Sequence, residues 1–287
     1  MKPAAFAYHR VESLDEAIER LGELGEDAKV LAGGQSLVPM MNFRLVRPPA
    51  LVDVSRVAGH DYLERDGDAL RIGALTTHAA IEHGDGALDG GFEVLRRAAR
   101  FVGHYPIRVR GTFGGSLAHA DPSAEWCMLA VALDATVRLR GPGGERDVAA
   151  ADFFLGFFTA DLEPGEVVVE VRFPRPWPAA ALQEFARRHG DFAIVATVTA
   201  LDLDDAGRCR EARVVVGGVD EIPVRVEEAE QVLAGAEPSA EAFAEAGRAA
   251  ARAVDPSADV HGSAEYRKEL TGVLVRRGLA EAVAHGE

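Results

Sequence analysis

Two segments, each a glycine pair flanked by small and hydroxyl side chains, most constrain how this chain can fold. They are Ala32-Gly33-Gly34-Gln35-Ser36 and Thr112-Phe113-Gly114-Gly115-Ser116. We predict that each joins a strand to a helix, because glycine takes backbone angles that other residues avoid and lets the chain approach a ligand closely. The positive end of a helix dipole would then face a bound anion. The pair therefore indicates a phosphate site or two structural turns, and this evidence alone leaves both open.

Neither segment contains Lys or Arg, so a bound phosphate would be held mostly by backbone amides. The usual dinucleotide fingerprint is absent. Gly141-Pro142-Gly143 begins like G-x-G-x-x-G, but Arg146 stands at the last position and no alternation of strand, helix and strand surrounds it. We therefore expect any dinucleotide to bind on a fold other than the Rossmann fold.

Hydrophobic periodicity around these segments predicts a mixture of helices and strands. Apolar residues at helical spacing indicate a helix over 13–25, and Ser13 with Glu16 resembles a capping box. The later strands precede the last helices, which favours an α+β fold over βαβ alternation. The main later elements are predicted strands at 69–73, 135–140, 167–173, 192–203 and 212–219 and predicted helices at 223–233, 239–254 and 263–284. Breaks near residue 55 and at the prolines of 174–178 divide the chain into 1–55, 56–176 and 177–287.

The charge balance and the cysteine count exclude several classes of function. The net charge of −15 argues against a nucleic-acid-binding surface and repels anions at long range. No run of 18 apolar residues occurs, so we expect no membrane span, and the first residues do not resemble a signal peptide. Two cysteines are too few for an iron–sulfur cluster. We expect a cytoplasmic protein without a metal centre of its own.

Four blocks in this chain resemble one known family. Residues 31–41 (LAGGQSLVPMM) are similar to A-G-G-[HQ]-S-L-x-P-x-M, and residues 107–122 (IRVRGTFGGSLAHADP) to I-R-x-x-G-T-[IF]-G-G-[SN]-[LI]-A-x-A-[DS]-P. Residues 185–195 and 261–267 resemble blocks of the same family's C-terminal domain. The family is the FAD-binding medium subunit of molybdenum hydroxylases, the group of aerobic carbon monoxide dehydrogenase and xanthine dehydrogenase. The resemblance extends over nearly the whole chain.

The resemblance implies a two-part FAD-binding fold of the vanillyl-alcohol oxidase type. A smaller α+β C-terminal domain of the CO dehydrogenase flavoprotein type would follow it. The implied partners are a large molybdopterin-containing subunit and a small [2Fe–2S] subunit, assembled as a dimer of heterotrimers. Electrons would pass from the partner's clusters through FAD to an external acceptor. We assign no catalytic residue to this chain and expect it to be inactive on the organic substrate alone.

The resemblance also implies which residues contact FAD. The two glycine segments with Leu37 would hold the diphosphate and the adjoining ribityl and ribose groups. Glu125 and Asp121 would accept hydrogen bonds from hydroxyls, Val168 would line the flavin, and Phe192 would cover one face of it. The full set is Ala32, Gly33, Gly34, Gln35, Ser36, Leu37, Thr112, Phe113, Gly114, Gly115, Ser116, Asp121, Glu125, Val168 and Phe192. Gln35 and Phe113 depart from the His and Ile that are common in the carbon monoxide dehydrogenase subset.

Simpler interpretations stay open for some of these residues and for the function. Glu125 could be a carboxylate favoured by a helix start, and Phe192 could be an ordinary core aromatic. The chain could also be a free-standing flavin oxidoreductase or a non-catalytic flavin-binding assembly subunit. NAD, oxygen and a quinone all remain candidates for the electron acceptor.

Overall fold

A computed structural model describes residues 2–84 and 86–286 of the chain. The strands of this part are β1 (Ala7–Arg10), β2 (Lys29–Leu31), β3 (Ala50–Asp53), β4 (Leu63–Asp66), β5 (Ala69–Gly73), β6 (Thr136–Gly141), β7 (Gly144–Ala149), β8 (Phe154–Gly156), β9 (Thr159–Ala160), β10 (Val167–Phe173), β11 (Ala179–Phe185), β12 (Val195–Leu203), β13 (Cys209–Gly217) and β14 (Val224–Arg225). The helices are α1 (Leu14–Leu24), α2 (Leu37–Asn42), α3 (His78–Glu82), α4 (Glu93–Ala99), α5 (Tyr105–Arg108), α6 (Phe113–His119), α7 (Glu125–Ala132), α8 (Ala150–Phe153), α9 (Glu227–Leu233), α10 (Ala240–Ala253) and α11 (Ala264–Gly286).

The N-terminal layer is a small parallel sheet in the order β1-β3-β2, with α1 packed on its central strand. All four residues of β3 are buried, as expected for a strand covered on both faces. The predicted cap at the start of α1 forms, except that the Glu16 carboxylate binds the amide one residue before the N-cap Ser13. Ser13 Oγ accepts from the amide of Glu16 at 3.2 Å, and the Glu16 carboxylate accepts from the amide of Glu12 at 2.9 Å.

The second layer is a five-stranded antiparallel sheet in the order β4-β5-β10-β6-β7, with helices packed against it. Its core contains Phe113 and Trp126, whose ring centroids are 4.9 Å apart. Every residue of α7 after the first is buried, because this helix lies between the second layer and the C-terminal sheet. One continuous hydrophobic cluster therefore joins the second layer to residues of the C-terminal sheet such as Val198 and Val215.

The C-terminal layer is an antiparallel sheet in the order β11-β12-β13-β14, covered by α9, α10 and α11. Helix α11 packs along β11 and β12 and also crosses α10. Gly247 and Gly272 permit the close contact between the two helices, since a Cβ on Gly247 would lie 2.5 Å from the carbonyl oxygen of Gly272. This arrangement and the two preceding layers confirm the predicted α+β fold class.

Three local predictions are wrong. The second glycine segment does not follow a strand: α5 precedes it, and Gly114 and Gly115 form the first turn of α6. The helix predicted over 223–233 is split, because Val224 pairs with Val216 in β14 before α9 begins. The strand predicted from residue 192 begins only at Val195, so Phe192 lies in an exposed loop.

Candidate functional site

The first glycine turn connects β2 to α2 and presents backbone amides on its surface. Gly34 has a φ of +71°, a left-handed conformation that favours glycine. The side-chain amide of Gln35 donates to the carbonyl oxygen of Gly33 at 3.0 Å, which folds the turn on itself. The backbone amides of residues 33–37 donate no hydrogen bond to any residue that the structure describes. Several amide donors are thus available on a half-buried turn, which fits a bound diphosphate.

Four of the five backbone amides in the second glycine turn, residues 112–116, are already occupied. Phe113 donates to the Thr76 carbonyl and Gly114 to the Ala74 carbonyl, both at 2.9 Å. Gly115 donates to Thr112 Oγ1 at 3.2 Å as part of a helix cap. The amide of Ser116 donates to the Thr112 carbonyl at 3.0 Å. The second turn thus offers hydroxyl groups and the exposed Gly115 surface to a ligand, and the expectation that its amides hold phosphate stays a prediction.

The two turns lie against each other. A Cβ on Gly33 would overlap the carbonyl oxygen of Arg110 and would lie 2.7 Å from Gly111 Cα. A Cβ on Gly115 would lie 3.9 Å from the Cβ of Ala32. Glycine at position 33 is thus required by the approach of the second segment, and the structure brings the two predicted segments to one place.

The buried residue His78 packs against the second turn and supports it. The amide of His78 donates to the Gly111 carbonyl at 3.0 Å, and a Cβ on Gly111 would lie 2.6 Å from His78 Nε2. Trp126 Nε1 donates to His78 Nδ1 at 3.0 Å. Burial lowers the pKa of His78 to about 4, and the charge of Arg108 acts in the same direction. The ring is therefore neutral at pH 7, with Nδ1 as the acceptor. Sequence reasoning assigned this histidine no role.

Helix α6 leads from the glycine turns to an open cleft of about 770 Å³. The helix ends at Ala120, whose φ of +52° is left-handed, and Pro122 and Ser123 follow in the cleft wall. The seven residues of α6 rise about 10 Å along the helix axis. The cleft lining also contains Phe192, which is 72% exposed. This exposure excludes the interpretation of Phe192 as a core aromatic.

Three carboxylates lie beyond the end of α6, in poorly hydrated positions. Asp121 is buried and accepts a hydrogen bond from the amide of Ser123 at 2.8 Å, and burial raises its pKa. Burial raises the pKa of Glu125 to about 8, with repulsion from Glu184 as the next cause. Burial likewise raises the pKa of Glu184 to about 7. None of the three has an ion-pair partner within 2–84 and 86–286, so hydroxyl donors would suit them.

Arg267 holds part of the cleft wall in place. Its guanidinium donates to the carbonyl oxygens of Ile194 at 2.5 Å and Gly218 at 2.8 Å, and it pairs with Asp259 at 2.8 Å. The side chain is buried, so these contacts fix the turn that carries Phe192. Arg267 belongs to the 261–267 block, but sequence reasoning gave it no role. Phe157, which also lines the cleft, had no sequence signal of this kind.

Val168 occupies a different position from the other predicted contacts. It lies in β10, beside an irregularity in the pairing with β6, and is partly buried against the core. Its neighbour Val169 accepts a hydrogen bond from the amide of Ala74, and Ala74 packs against Gly114. Val168 is therefore next in sequence to Val169, which supports the second turn through Ala74. It is not among the residues that line the cleft.

Comparison with protein families gives two matches that together span the chain. Residues 4–176 match the FAD binding domain in molybdopterin dehydrogenase, and residues 180–282 match the CO dehydrogenase flavoprotein C-terminal domain. The chain belongs to the family of FAD-binding medium subunits of molybdenum hydroxylase complexes. FAD is thus its cofactor, and the predicted family, oxidoreductase class and subunit type are confirmed.

Individual relatives align over the full length. The chain is 41% identical to the 6-hydroxypseudooxynicotine dehydrogenase complex subunit alpha of Paenarthrobacter nicotinovorans, over 99% of this chain and 96% of that one. It is 36% identical to the carbon monoxide dehydrogenase medium chain of Afipia carboxidovorans, over 100% of both. A solved structure of quinoline 2-oxidoreductase from Pseudomonas putida 86 superposes with a TM-score of 0.95 at 36% identity, covering 100% of this chain and 99% of that one. Within the described residues, no helix combines the length and the apolar character needed to cross a membrane.

Proposed function

We propose that FAD binds in an extended form, with its diphosphate at the two glycine turns and its flavin ring in the cleft beside Phe192. The contact of Gly33 with Arg110 and Gly111 carries this proposal, because it places the amides of the first turn beside the second turn. Helix α6 then spans the distance from these turns to the cleft.

The predicted residues divide into three groups in this arrangement. Residues 33–37 donate backbone amides to the diphosphate, and Gln35 keeps the turn folded. Thr112 caps α6 and holds the second turn, which presents the Ser116 hydroxyl. Asp121 and Glu125 accept hydrogen bonds from sugar or ribityl hydroxyls, which compensates their desolvation. Phe192 covers one face of the ring, and β10 with Val168 supports the site from behind.

When bound, FAD supplies the redox chemistry, and the chain's residues bind it and limit the access of water. We propose that electrons reach this site from the iron–sulfur clusters of a small partner subunit and leave to an acceptor in the cleft. A large molybdopterin-containing subunit would complete a heterotrimer, paired as a dimer. The names of the relatives support separate subunits, since they are called medium chains and complex subunits.

The divisions 1–55, 56–176 and 177–287 are our proposal for the domains, and the family matches that meet between 176 and 180 support the second division. We also propose a cytoplasmic location. Both cysteines, Cys127 and Cys209, are free and buried, which suits a reducing compartment.

Titration of the apo chain with FAD tests the proposed site. Gly33→Ala places a Cβ against Arg110, separates the two turns and should weaken FAD binding at least tenfold. Gly143→Ala is the matched control, because a Cβ there meets nothing within 4 Å and the residue has no positive φ. Flavin absorbance after gel filtration and the dissociation constant are the measurements. Unchanged FAD affinity in a folded Gly33→Ala chain would show that the diphosphate lies elsewhere.

A further inference from the structure

The cleft beside Phe192 has an acidic rim. Asp191, Asp220 and Glu221 line it, and none of them forms an ion pair in the described chain. Two further carboxylates of the lining are compensated, Asp255 by Lys268 at 3.1 Å and Asp259 by Arg267 at 2.8 Å. The open rim therefore carries an excess of negative charge.

The cations of the lining do not offset this charge. Arg267 is buried, and its contacts with Ile194, Gly218 and Asp259 commit its guanidinium to the cleft wall. Arg187 is exposed on the rim and offsets one of the three rim carboxylates. An excess of two negative charges therefore remains. The chain as a whole carries a net charge of −15, which adds to the repulsion of anions. A diphosphate outside the glycine turns would thus meet an unfavourable potential here.

The apolar part of the cleft is exposed and aromatic. Phe192 is 72% exposed and Phe157 is 56% exposed, and Ile194 and Val219 lie in the same wall. Large apolar side chains presented to water in a concave site are typical of small-molecule binding. Because Phe192 is assigned to the flavin, the exposed ring of Phe157 is left for a flat, uncharged ring system, which can stack on it without desolvating a charge.

We propose that the cleft takes an uncharged planar quinone as the electron acceptor and rejects nicotinamide dinucleotides, whose diphosphate is anionic. This inference rests on the proposed function, which brings the flavin ring to the cleft. The quinone gains two electrons and two protons from FADH₂ and leaves as the quinol, and the flavin returns to oxidised FAD. Phe157 contacts the quinone, while Asp191, Asp220 and Glu221 exclude anionic acceptors.

The test uses the full chain loaded with FAD, under anaerobic conditions. Menadione is titrated against the oxidised protein, and flavin absorbance and fluorescence report binding independently of turnover. We expect a saturable change with menadione and none with millimolar NAD⁺. After reduction by dithionite, menadione should restore oxidised flavin absorbance with formation of one menadiol per FAD. Phe157→Ala should keep FAD and weaken menadione binding about tenfold.

Charge variants separate the local effect of the rim from the overall charge. Asp191→Asn, Asp220→Asn and Glu221→Gln together should allow NAD⁺ to bind and leave the menadione affinity within twofold. The control combines Glu19→Gln, Glu26→Gln and Asp27→Asn, three exposed carboxylates outside the cleft lining, and should not bind NAD⁺. Saturable NAD⁺ binding to the unmodified chain, or no response to menadione while FAD is retained, overturns this inference but leaves the proposed function standing. Failure to take up FAD overturns the proposed function as well.

Discussion

At the residue scale, the candidate site contains two kinds of residue. Its glycines allow close approach of the backbone, and its buried carboxylates have lost the hydration that stabilises their charged form. Sequence patterns pointed to the glycines, because a Gly-Gly pair can be recognised in the sequence itself. They did not reveal that the amides of Phe113 and Gly114 are used by Thr76 and Ala74, since those partners lie some 40 residues earlier in the chain. The raised pKa of Glu125 could not be predicted either, because it depends first on burial and then on repulsion from Glu184 of another layer.

Replacement of Glu125 should have opposite effects on the stability of the apo chain and on its affinity for FAD. Its pKa in the folded apo chain is about 8, against 4.5 for an unperturbed glutamate, so its contribution to folding is favourable below pH 4.5 and is lost as the pH rises towards 8. Glu125→Gln should therefore stabilise the apo chain at pH 8 by roughly 1–3 kcal/mol and have little effect near pH 4.5. Urea unfolding at both pH values measures this.

At pH 9, above the folded pKa of about 8, the same variant should bind FAD about tenfold more weakly, because a charged acceptor of hydroxyl hydrogen bonds becomes a neutral one. Glu26→Gln, an exposed carboxylate without an ion pair among the described residues, is the control and should change neither quantity. FAD affinity equal to that of the unmodified chain would remove Glu125 from the cofactor site.

His78 should make the apo chain sensitive to mild acid. Its folded pKa of about 4 lies below the 6.5 of a free histidine, so protonation of the unfolded chain costs stability as the pH falls through that window. Between about pH 7.5 and pH 5 the loss is about 2 kcal/mol. His78→Phe should remove this loss but cost about 1–3 kcal/mol at pH 7.5, because Trp126 Nε1 then has no acceptor. The exposed His189, replaced by Gln, is the control. An unchanged pH slope in His78→Phe would contradict the assignment.

At the scale of elements, the long periodic segments were predictable and the short edge strands were not. Helix α1 and strands β5, β10 and β13 have clear periods and caps, and the structure contains them close to the predicted positions. Strand β1 has no buried residue pattern and exists because it pairs with β3, about 40 residues later. Strand β14 has two residues and is defined by its pairing with β13. Tertiary pairing decides such elements, so local pattern could not predict them.

The contact between α10 and α11 gives a prediction for the C-terminal layer. Gly247→Ala places its Cβ 2.5 Å from the backbone oxygen of Gly272, which side-chain movement cannot relieve. We expect a loss of about 1–3 kcal/mol from overpacking. Gly22→Ala in α1 is the matched control, since its Cβ meets nothing within 4 Å, and should stabilise by about 0.5–1 kcal/mol. Urea denaturation measures both, and the FAD dissociation constant should not change. A neutral Gly247→Ala would show that the helices can separate without cost.

At the scale of the whole molecule, a buried tryptophan joins the two parts of the chain that match the two domain families. Trp177 lies between residues 176 and 180, where those matches meet, and is 1% exposed. The guanidinium carbon of Arg175 lies 3.9 Å from its ring centroid and that of Arg213 lies 5.1 Å away. Arg213 in turn pairs with Asp134 of the preceding layer at 2.7 Å. The backbone amide of Trp177 also donates to the Gly91 carbonyl at 2.8 Å. These contacts couple the FAD-binding part to the C-terminal sheet.

Trp177→Ala should therefore divide one cooperative unfolding transition into two. Truncation of a buried Trp costs about 3–5 kcal/mol, and here the loss falls on the junction and not within either layer. Calorimetry of the unmodified chain should show one transition, and the variant two. Because a ligand stabilises the part that binds it, added FAD should raise the midpoint of the transition that contains the glycine turns and leave the other near its original value. Trp177→Phe keeps an aromatic ring between Arg175 and Arg213 and should retain a single transition. One lowered transition in Trp177→Ala, shifted as a whole by FAD, would show that the shared core around α7 is sufficient to couple the two parts.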